Sequence, residues 1–216
     1  MSMKKITELF IDVIYEYINS FKDERIILLK NKEAIMWIFG DTSFLPPFNQ
    51  INKTQDKIKL KKLEDTWGQK LLKKRRPDLK LDKQWTNKFG EHICEELIIL
   101  YGKEPRKPIK KLNLQPDIEE DDFIWEVKTS TFFTDGTACE KILGTPLKYA
   151  KVPFLYSKPL RILCIGGAEK TCKKRYGIMG LVHDSEKRKF ISFYAYNKIE
   201  YVTATDMIID LLSKVH

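Results

Sequence analysis

The stretch QPDIEEDDFIWEVKTS, residues 115–130, contains the residue types that phosphoryl chemistry uses. Asp117 is followed nine residues later by Glu126, and Lys128 comes two residues after Glu126. Residues 123–128 alternate apolar and polar side chains, which is typical of a short strand. Side chains two positions apart on a strand point the same way, so the pattern predicts one carboxylate and one amine on a common face.

A hairpin is predicted to bring a second carboxylate to the same place. We expect residues 112–118 to form the preceding strand and residues 119–122 the turn, which folds Asp117 back beside Glu126. Two adjacent carboxylates repel each other at neutral pH, and Mg²⁺ offsets this charge because it prefers oxygen ligands. The sequence therefore predicts a Mg²⁺ site, where Mn²⁺ can substitute, with Asp117, Glu126 and the carbonyl of Val127 as ligands.

Such a site has the groups needed to hydrolyse a phosphodiester. Mg²⁺ can activate a bound water and stabilise the leaving oxygen, while Lys128 positions the water or helps to deprotonate it. A purely structural interpretation stays open, because short motifs of common residues recur by chance. In that interpretation an acidic turn joins two strands, and Lys128 is a surface lysine paired with Glu126.

The charge of the chain indicates an anionic partner. Its 216 residues include 39 Lys and Arg against 30 Asp and Glu, which gives a formal charge of +9. Most of the excess lies between residues 49 and 88, where 13 basic residues accompany 5 acidic ones. A basic face that is merely well solvated would have the same composition.

Several other classes of protein are disfavoured by the sequence. The four cysteines form no C-x-x-C pair and have no histidine at ligand spacing, so a zinc site is not expected. The three histidines are scattered and are expected to be structural or exposed. No apolar run reaches the length of a membrane span and no signal peptide is evident, which predicts an intracellular protein with reduced thiols and no membrane partner.

The order of elements predicts an α/β protein. Apolar residues at helical spacing predict helices near 6–17, 26–39, 60–71, 82–101, 184–194 and 205–214. Buried strands are predicted at 160–165 and 199–202, and residues 129–159 are too rich in Gly, Pro and Thr to be regular throughout. We expect a single domain over residues 1–216, with a basic helical subregion at 1–80 and a catalytic core at 81–216.

The residues resemble the active-site pattern of the PD-(D/E)xK nucleases, and in particular type II restriction endonucleases. The resemblance rests on Asp117, Glu126, Lys128 and the helix before them, and residues 136–149 and 199–206 are similar to small prokaryotic or viral restriction enzymes. It implies a restriction-endonuclease-like core with a mixed central β-sheet flanked by helices. It also implies Mg²⁺-dependent hydrolysis of both strands of double-stranded DNA at a short palindromic site, leaving 5′-phosphates.

The resemblance extends to further residues and partners. In such nucleases the helix before the Asp supplies another carboxylate, for which Glu91 is preferred and Glu95 is the alternative. A palindromic site implies a homodimer, and a restriction enzyme implies a DNA methyltransferase as its functional partner in the cytoplasm. Residues 131–151 are expected to read bases, with Thr137, Lys141, Thr145 and Lys148 as candidates. The basic clusters expected to contact phosphates are Lys73, Lys74, Arg75 and Arg76, and Lys173, Lys174 and Arg175.

Two other functions stay open at this level. A junction resolvase or repair nickase would use the same residues on structured DNA. A non-catalytic DNA-binding module would use the basic clusters alone, with Asp117 and Glu126 serving only as part of a salt-bridged hairpin.

Overall fold

The computed structural model describes residues 3–47, 53–80, 85–133, 140–179 and 185–214. Its helices are α1 (Met3–Asn19), α2 (Lys32–Ile38), α3 (Lys53–Arg75), α4 (Trp85–Leu100), α5 (Glu140–Lys148), α6 (Val152–Tyr156), α7 (Gly167–Thr171), α8 (Ser185–Tyr196) and α9 (Ala204–Ser213). A π-helical turn, Cys172–Tyr176, follows α7. The strands are β1 (Ile118–Glu119), β2 (Ile124–Ser130), β3 (Leu160–Gly166) and β4 (Ile199–Thr203).

The four strands form one mixed sheet in the order β1-β2-β3-β4. β1 pairs antiparallel with β2, whereas β2 with β3 and β3 with β4 pair in parallel. Glu126 lies opposite Ile162 and Lys128 opposite Cys164 in the register of β2 and β3. The predicted α/β class, with a mixed sheet flanked by helices, is confirmed.

Helices cover both faces of the sheet, and the alternation of side chains along β3 divides them between two apolar clusters. Leu163 and Ile165 pack with residues of α1, α2, α4 and α9, and this cluster also includes Leu71 and Leu72 of α3. Ile162 and Cys164 pack on the opposite face with residues of α5 and α6. The N-terminal helices therefore share a core with the sheet. Cys94, Cys164 and Cys172 are free, buried thiols.

The helix predicted over residues 26–39 is wrong in its first half, because α2 spans only Lys32–Ile38. Asn31 caps α2, and its side chain accepts a hydrogen bond from the backbone N–H of Ala34 at 3.2 Å. The backbone N–H groups of Leu28 and Leu29 donate instead to the buried carboxylate of Glu96 on α4. A side chain distant in sequence thus satisfies backbone groups that a helix would have satisfied locally.

The strand predicted over residues 112–118 is also too long, because β1 contains only Ile118 and Glu119. Lys111 and Leu114 close a tight turn through reciprocal backbone hydrogen bonds of 2.9 and 2.8 Å. The two residues between them have positive φ angles of 46° and 62°, which a strand does not contain. The predicted hairpin survives in shortened form, since Ile118 pairs with Trp125.

The other predicted helices and strands are present. Residues 129–159, predicted to be partly irregular, contain the short helices α5 and α6. Within the described ranges, no helix has both the length and the apolar character needed to cross a membrane.

Candidate active site

β2 presents Glu126 and Lys128 on the same face, as the alternation predicts. The Lys128 Nζ lies 2.5 Å from Glu126 Oε1, so the two side chains form an ion pair. Glu126 is 4% exposed, and its second carboxylate oxygen, Oε2, is buried without a hydrogen-bond partner. An unsatisfied buried carboxylate oxygen is unfavourable by roughly 1–3 kcal/mol or more, which makes this atom a good ligand for a cation.

Asp117 precedes β1 and is fixed to β2 by two hydrogen bonds. Its backbone N–H donates to the carbonyl of Trp125 at 3.0 Å, and its Oδ2 accepts from the backbone N–H of Val127 at 2.8 Å. Burial, followed by the negative charge of Glu126, raises the pKa of Asp117 to about 6, although the Val127 hydrogen bond lowers it. Repulsion between the two carboxylates is the electrostatic condition that a divalent cation relieves.

The N-terminal half of α4 reaches the same site because a glycine allows close packing on β2. A Cβ atom at Gly90 would lie 1.8 Å from Thr129 Oγ1 and 3.1 Å from a methyl group of Val127. The next residue, Glu91, is held by Lys88, whose Nζ donates to Glu91 Oε2 at 2.6 Å. The charge of Glu91 contributes to the raised pKa of Asp117, after burial and the charge of Glu126.

These side chains line one cleft of about 440 Å³. The cleft is lined by Thr86, Asn87 and Glu91 of α4, by Asp117, by Glu126, Val127, Lys128, Thr129 and Ser130 of β2, by Lys141 and Ile142 of α5, and by Ala168 of α7. The structure therefore brings together every residue that the sequence proposed for catalysis or metal binding. Their roles stay predictions.

Glu95 is not among the residues that line the cleft, although it lies one turn after Glu91. Its Oε2 lies 2.7 Å from His92 Nδ1 and 3.7 Å from Arg75. Burial raises the pKa of Glu95, but the hydrogen bond from His92 and nearby positive charges outweigh it and lower that pKa overall. Of the two alternatives on α4, the geometry favours Glu91.

The donor set suits Mg²⁺ better than a metal that needs a full cage of protein ligands. Within the described ranges, no three His, Cys, Asp or Glu side chains form a ready-made metal cluster. Mg²⁺ does not need one, because it usually takes one or two carboxylates and completes its shell with water and substrate phosphates. Asp117 and the unsatisfied oxygen of Glu126 meet that requirement.

Tyr149, at the end of α5, is a member of the site that the sequence did not indicate. It is 5% exposed. Burial, followed by the charges of Glu126 and then Asp117, raises the pKa of its phenol. Lys148 Nζ donates to the Tyr149 hydroxyl at 3.2 Å and lies 4.6 Å from the centre of its ring. No local pattern identifies a tyrosine this far from the motif in sequence.

The residues predicted to read bases have different environments. Lys141 is exposed and lines the cleft, and Lys148 is exposed beside Tyr149. Thr145 is buried and its hydroxyl donates to the carbonyl of Lys141 at 2.9 Å, so its burial does not fit a base contact. Thr137 lies outside the described residues.

The first basic cluster divides into two pairs. Lys73 and Lys74, in the last turn of α3, are exposed. Arg75 lies 3.6 Å from the buried Glu96 and 3.7 Å from Glu95, and Arg76 forms a 2.6 Å ion pair with Asp78. The two arginines are therefore engaged within the protein, which does not fit a primary role on phosphates.

The second cluster is divided in a similar way. Lys173 Nζ lies 2.7 Å from the buried carboxylate of Glu169, which also accepts a hydrogen bond from Thr205 Oγ1 at 2.5 Å. Lys174 and Arg175 are exposed and stay candidates for phosphate contacts.

Comparisons of the chain with models of protein families, with curated proteins and with solved structures found no match.

Proposed function

We propose that this protein is a type II restriction endonuclease that uses Mg²⁺ to hydrolyse both strands of double-stranded DNA at a short palindromic site, leaving 5′-phosphates. The observation that supports this most directly is the convergence of Asp117, Glu126 and Lys128, with Glu91 beside them, in one cleft. Two repelling carboxylates and one ammonium group are the minimum for metal-assisted hydrolysis of a phosphodiester.

Asp117 and Glu126 would hold the cation. Bound Mg²⁺ would supply Lewis acidity at the scissile phosphate and make a coordinated water more acidic. A carboxyl group with a pKa of about 6 is mostly ionised at neutral pH, so Asp117 is available as a ligand under those conditions. The Val127 N–H fixes the orientation of Asp117 through its 2.8 Å hydrogen bond.

Lys128 has two roles in this proposal. Before substrate binds, its ammonium group neutralises the buried carboxylate of Glu126 across 2.5 Å. Once Glu126 ligates the cation, the ammonium group can turn to the attacking water, which it orients and helps to deprotonate. Glu91, on the other side of the cleft, can accept a proton or a hydrogen bond from the same water.

DNA would reach the cleft along exposed basic side chains. Lys141 lies at the cleft itself, and Lys73, Lys74, Lys174 and Arg175 are exposed. Lysine and arginine contacts to phosphates give affinity for any sequence and fix the position of the duplex without reading bases.

The test is digestion of plasmid DNA by the purified protein with Mg²⁺. Discrete fragments are expected from the wild type, and Lys128→Ala should lose cleavage while its DNA affinity changes by less than about tenfold. Lys158→Ala is a matched control, because Lys158 is about as buried as Lys128 and forms a 2.6 Å ion pair with Glu119 outside the cleft. That control should keep full activity.

Other outcomes would select other functions. Nicks, or cleavage only of branched DNA, would indicate a structure-specific nuclease. Intact DNA together with a retarded gel band would indicate a binding module. Undiminished cleavage in EDTA would contradict the metal mechanism, whereas Ca²⁺ in place of Mg²⁺ is expected to support binding without turnover.

A further inference from the structure

α8 is a helix of 12 residues without a buried side chain. Ile191 and Tyr194 are half-buried towards the protein, whereas Phe190, Phe193 and Tyr196 are 64%, 62% and 88% exposed. A helix of this length is marginally stable by itself in water, because its first turn is costly to form. Three exposed aromatic side chains on such a helix indicate a surface that gains stability when something covers it.

The apolar surface continues from α8 onto α5. A groove of about 260 Å³ separates the two helices, and its lining consists of Leu143, Tyr176, Ile178, Lys187, Phe190, Ile191, Tyr194 and Tyr201. Leu147, one turn after Leu143 on α5, is 81% exposed. We refer to Leu143, Leu147, Phe190, Phe193 and Tyr196 as the α5/α8 surface.

The size of the α5/α8 surface matches the centre of a protein interface. A buried aromatic side chain contributes about 150–250 Å², so three aromatic residues at these exposures present roughly 400 Å² before the leucines are added. A standard interface buries about 800 Å² per partner, and its fully buried centre is its most apolar part. Apolar patches of several hundred Å² on a monomer commonly mark a binding site.

We propose that the α5/α8 surface joins two copies of this chain about a two-fold axis, with the aromatic side chains of each α8 entering the groove of the other copy. A two-fold interface must be complementary to itself. The α5/α8 surface meets this requirement, since projecting aromatic side chains and an apolar groove lie beside each other on one chain.

The position of α5 gives this dimer a consequence for the cleft. Lys141 and Ile142 of α5 line the cleft, and the next residue, Leu143, lines the groove. Pairing through α5 and α8 would therefore fix two clefts relative to each other. This consequence rests on the proposed function, because two clefts in a fixed arrangement serve to cut the two strands of one duplex.

The experiment is sedimentation velocity of the full chain without DNA or metal. The wild type is expected at twice the 25.5 kDa mass of one chain. The double variant Phe193→Ser, Tyr196→Ser should raise the dissociation constant of the dimer by roughly tenfold or more, because aromatic side chains at the centre of an interface dominate its affinity. Ile58→Ser on α3 is the matched control, since Ile58 is 65% exposed and lies outside the surface. It should leave the dimer intact.

The variants replace exposed side chains, so their melting curves should confirm that they fold. A wild type that remains monomeric at tens of micromolar, or a double variant that remains dimeric, would overturn the proposal. A monomeric wild type that binds vesicles of anionic phospholipid through Phe193 and Tyr196 would assign the surface to a membrane instead. A dimer that does not cut DNA would leave the interface standing and remove the nuclease function, and a monomer that cuts would do the reverse.

Discussion

Replacing Asp117 with Asn is expected to stabilise the folded protein while it abolishes cleavage. The carboxyl group has a pKa of about 6, raised from 3.8 mainly by burial and then by the charge of Glu126. Asn keeps the shape of the side chain, and its amide oxygen can still accept the 2.8 Å hydrogen bond from the Val127 N–H. The substitution thus removes a charge that the folded state disfavours, with little loss of packing.

The magnitude follows from the shift in pKa. A raised pKa means that the folded state holds the proton more tightly than the unfolded chain does. The wild type therefore loses stability as pH rises from the unfolded value of 3.8 to the folded value of about 6, and the loss is complete above that range. At about 1.4 kcal/mol per pKa unit, the loss is roughly 3 kcal/mol, or about 5–10 °C in melting temperature for a chain of this size.

Urea unfolding at several pH values measures the difference directly. Asp117→Asn should match the wild type near pH 3.5 and exceed its free energy of unfolding by up to about 3 kcal/mol above pH 7. Asp78→Asn is a control of opposite sign, because the ion pair with Arg76 lowers the pKa of Asp78 to about 2. Its loss should reduce stability slightly above pH 4. An Asp117→Asn variant with no pH-dependent gain would refute the proposed repulsion between the two carboxylates.

Three further predictions concern the surroundings of the cleft. Gly90→Ala should destabilise the protein by about 1–3 kcal/mol in urea unfolding, because the added Cβ would lie 1.8 Å from a side-chain oxygen of β2, whereas Gly144→Ala meets nothing within 4 Å and should be neutral or slightly stabilising. Neutralising Lys73 and Lys74 should weaken binding to all DNA sequences and reduce the salt dependence by roughly one unit per lost phosphate contact, and an unchanged slope would show that this pair faces away from DNA. Arg75→Ala should lower the melting temperature with little change in the salt dependence of binding, because it removes the positive charge beside two carboxylates of α4.

The sequence alone determined the parts of the site that depend on local periodicity. Side chains alternate along any strand, so Glu126 and Lys128 had to share a face once residues 124–130 formed β2. The short acidic turn between two apolar segments was sufficient to bring Asp117 back to that strand. Helix ends marked by Gly or Pro and the buried strand β3 were predicted for the same reason, since each signal lies within a few residues of the structure it specifies.

Tertiary structure decided which side chains remain available to a substrate. Glu91 and Glu95 occupy the same helix one turn apart, and only the packing of α4 on β2 places Glu91 in the cleft and leaves Glu95 with His92. Residues 26–31 lack a helix because Glu96 binds their backbone from α4. Tyr149 faces Glu126 through the docking of α5. Each contact joins residues that are distant in sequence or belong to separate elements, and no short window of sequence contains both partners.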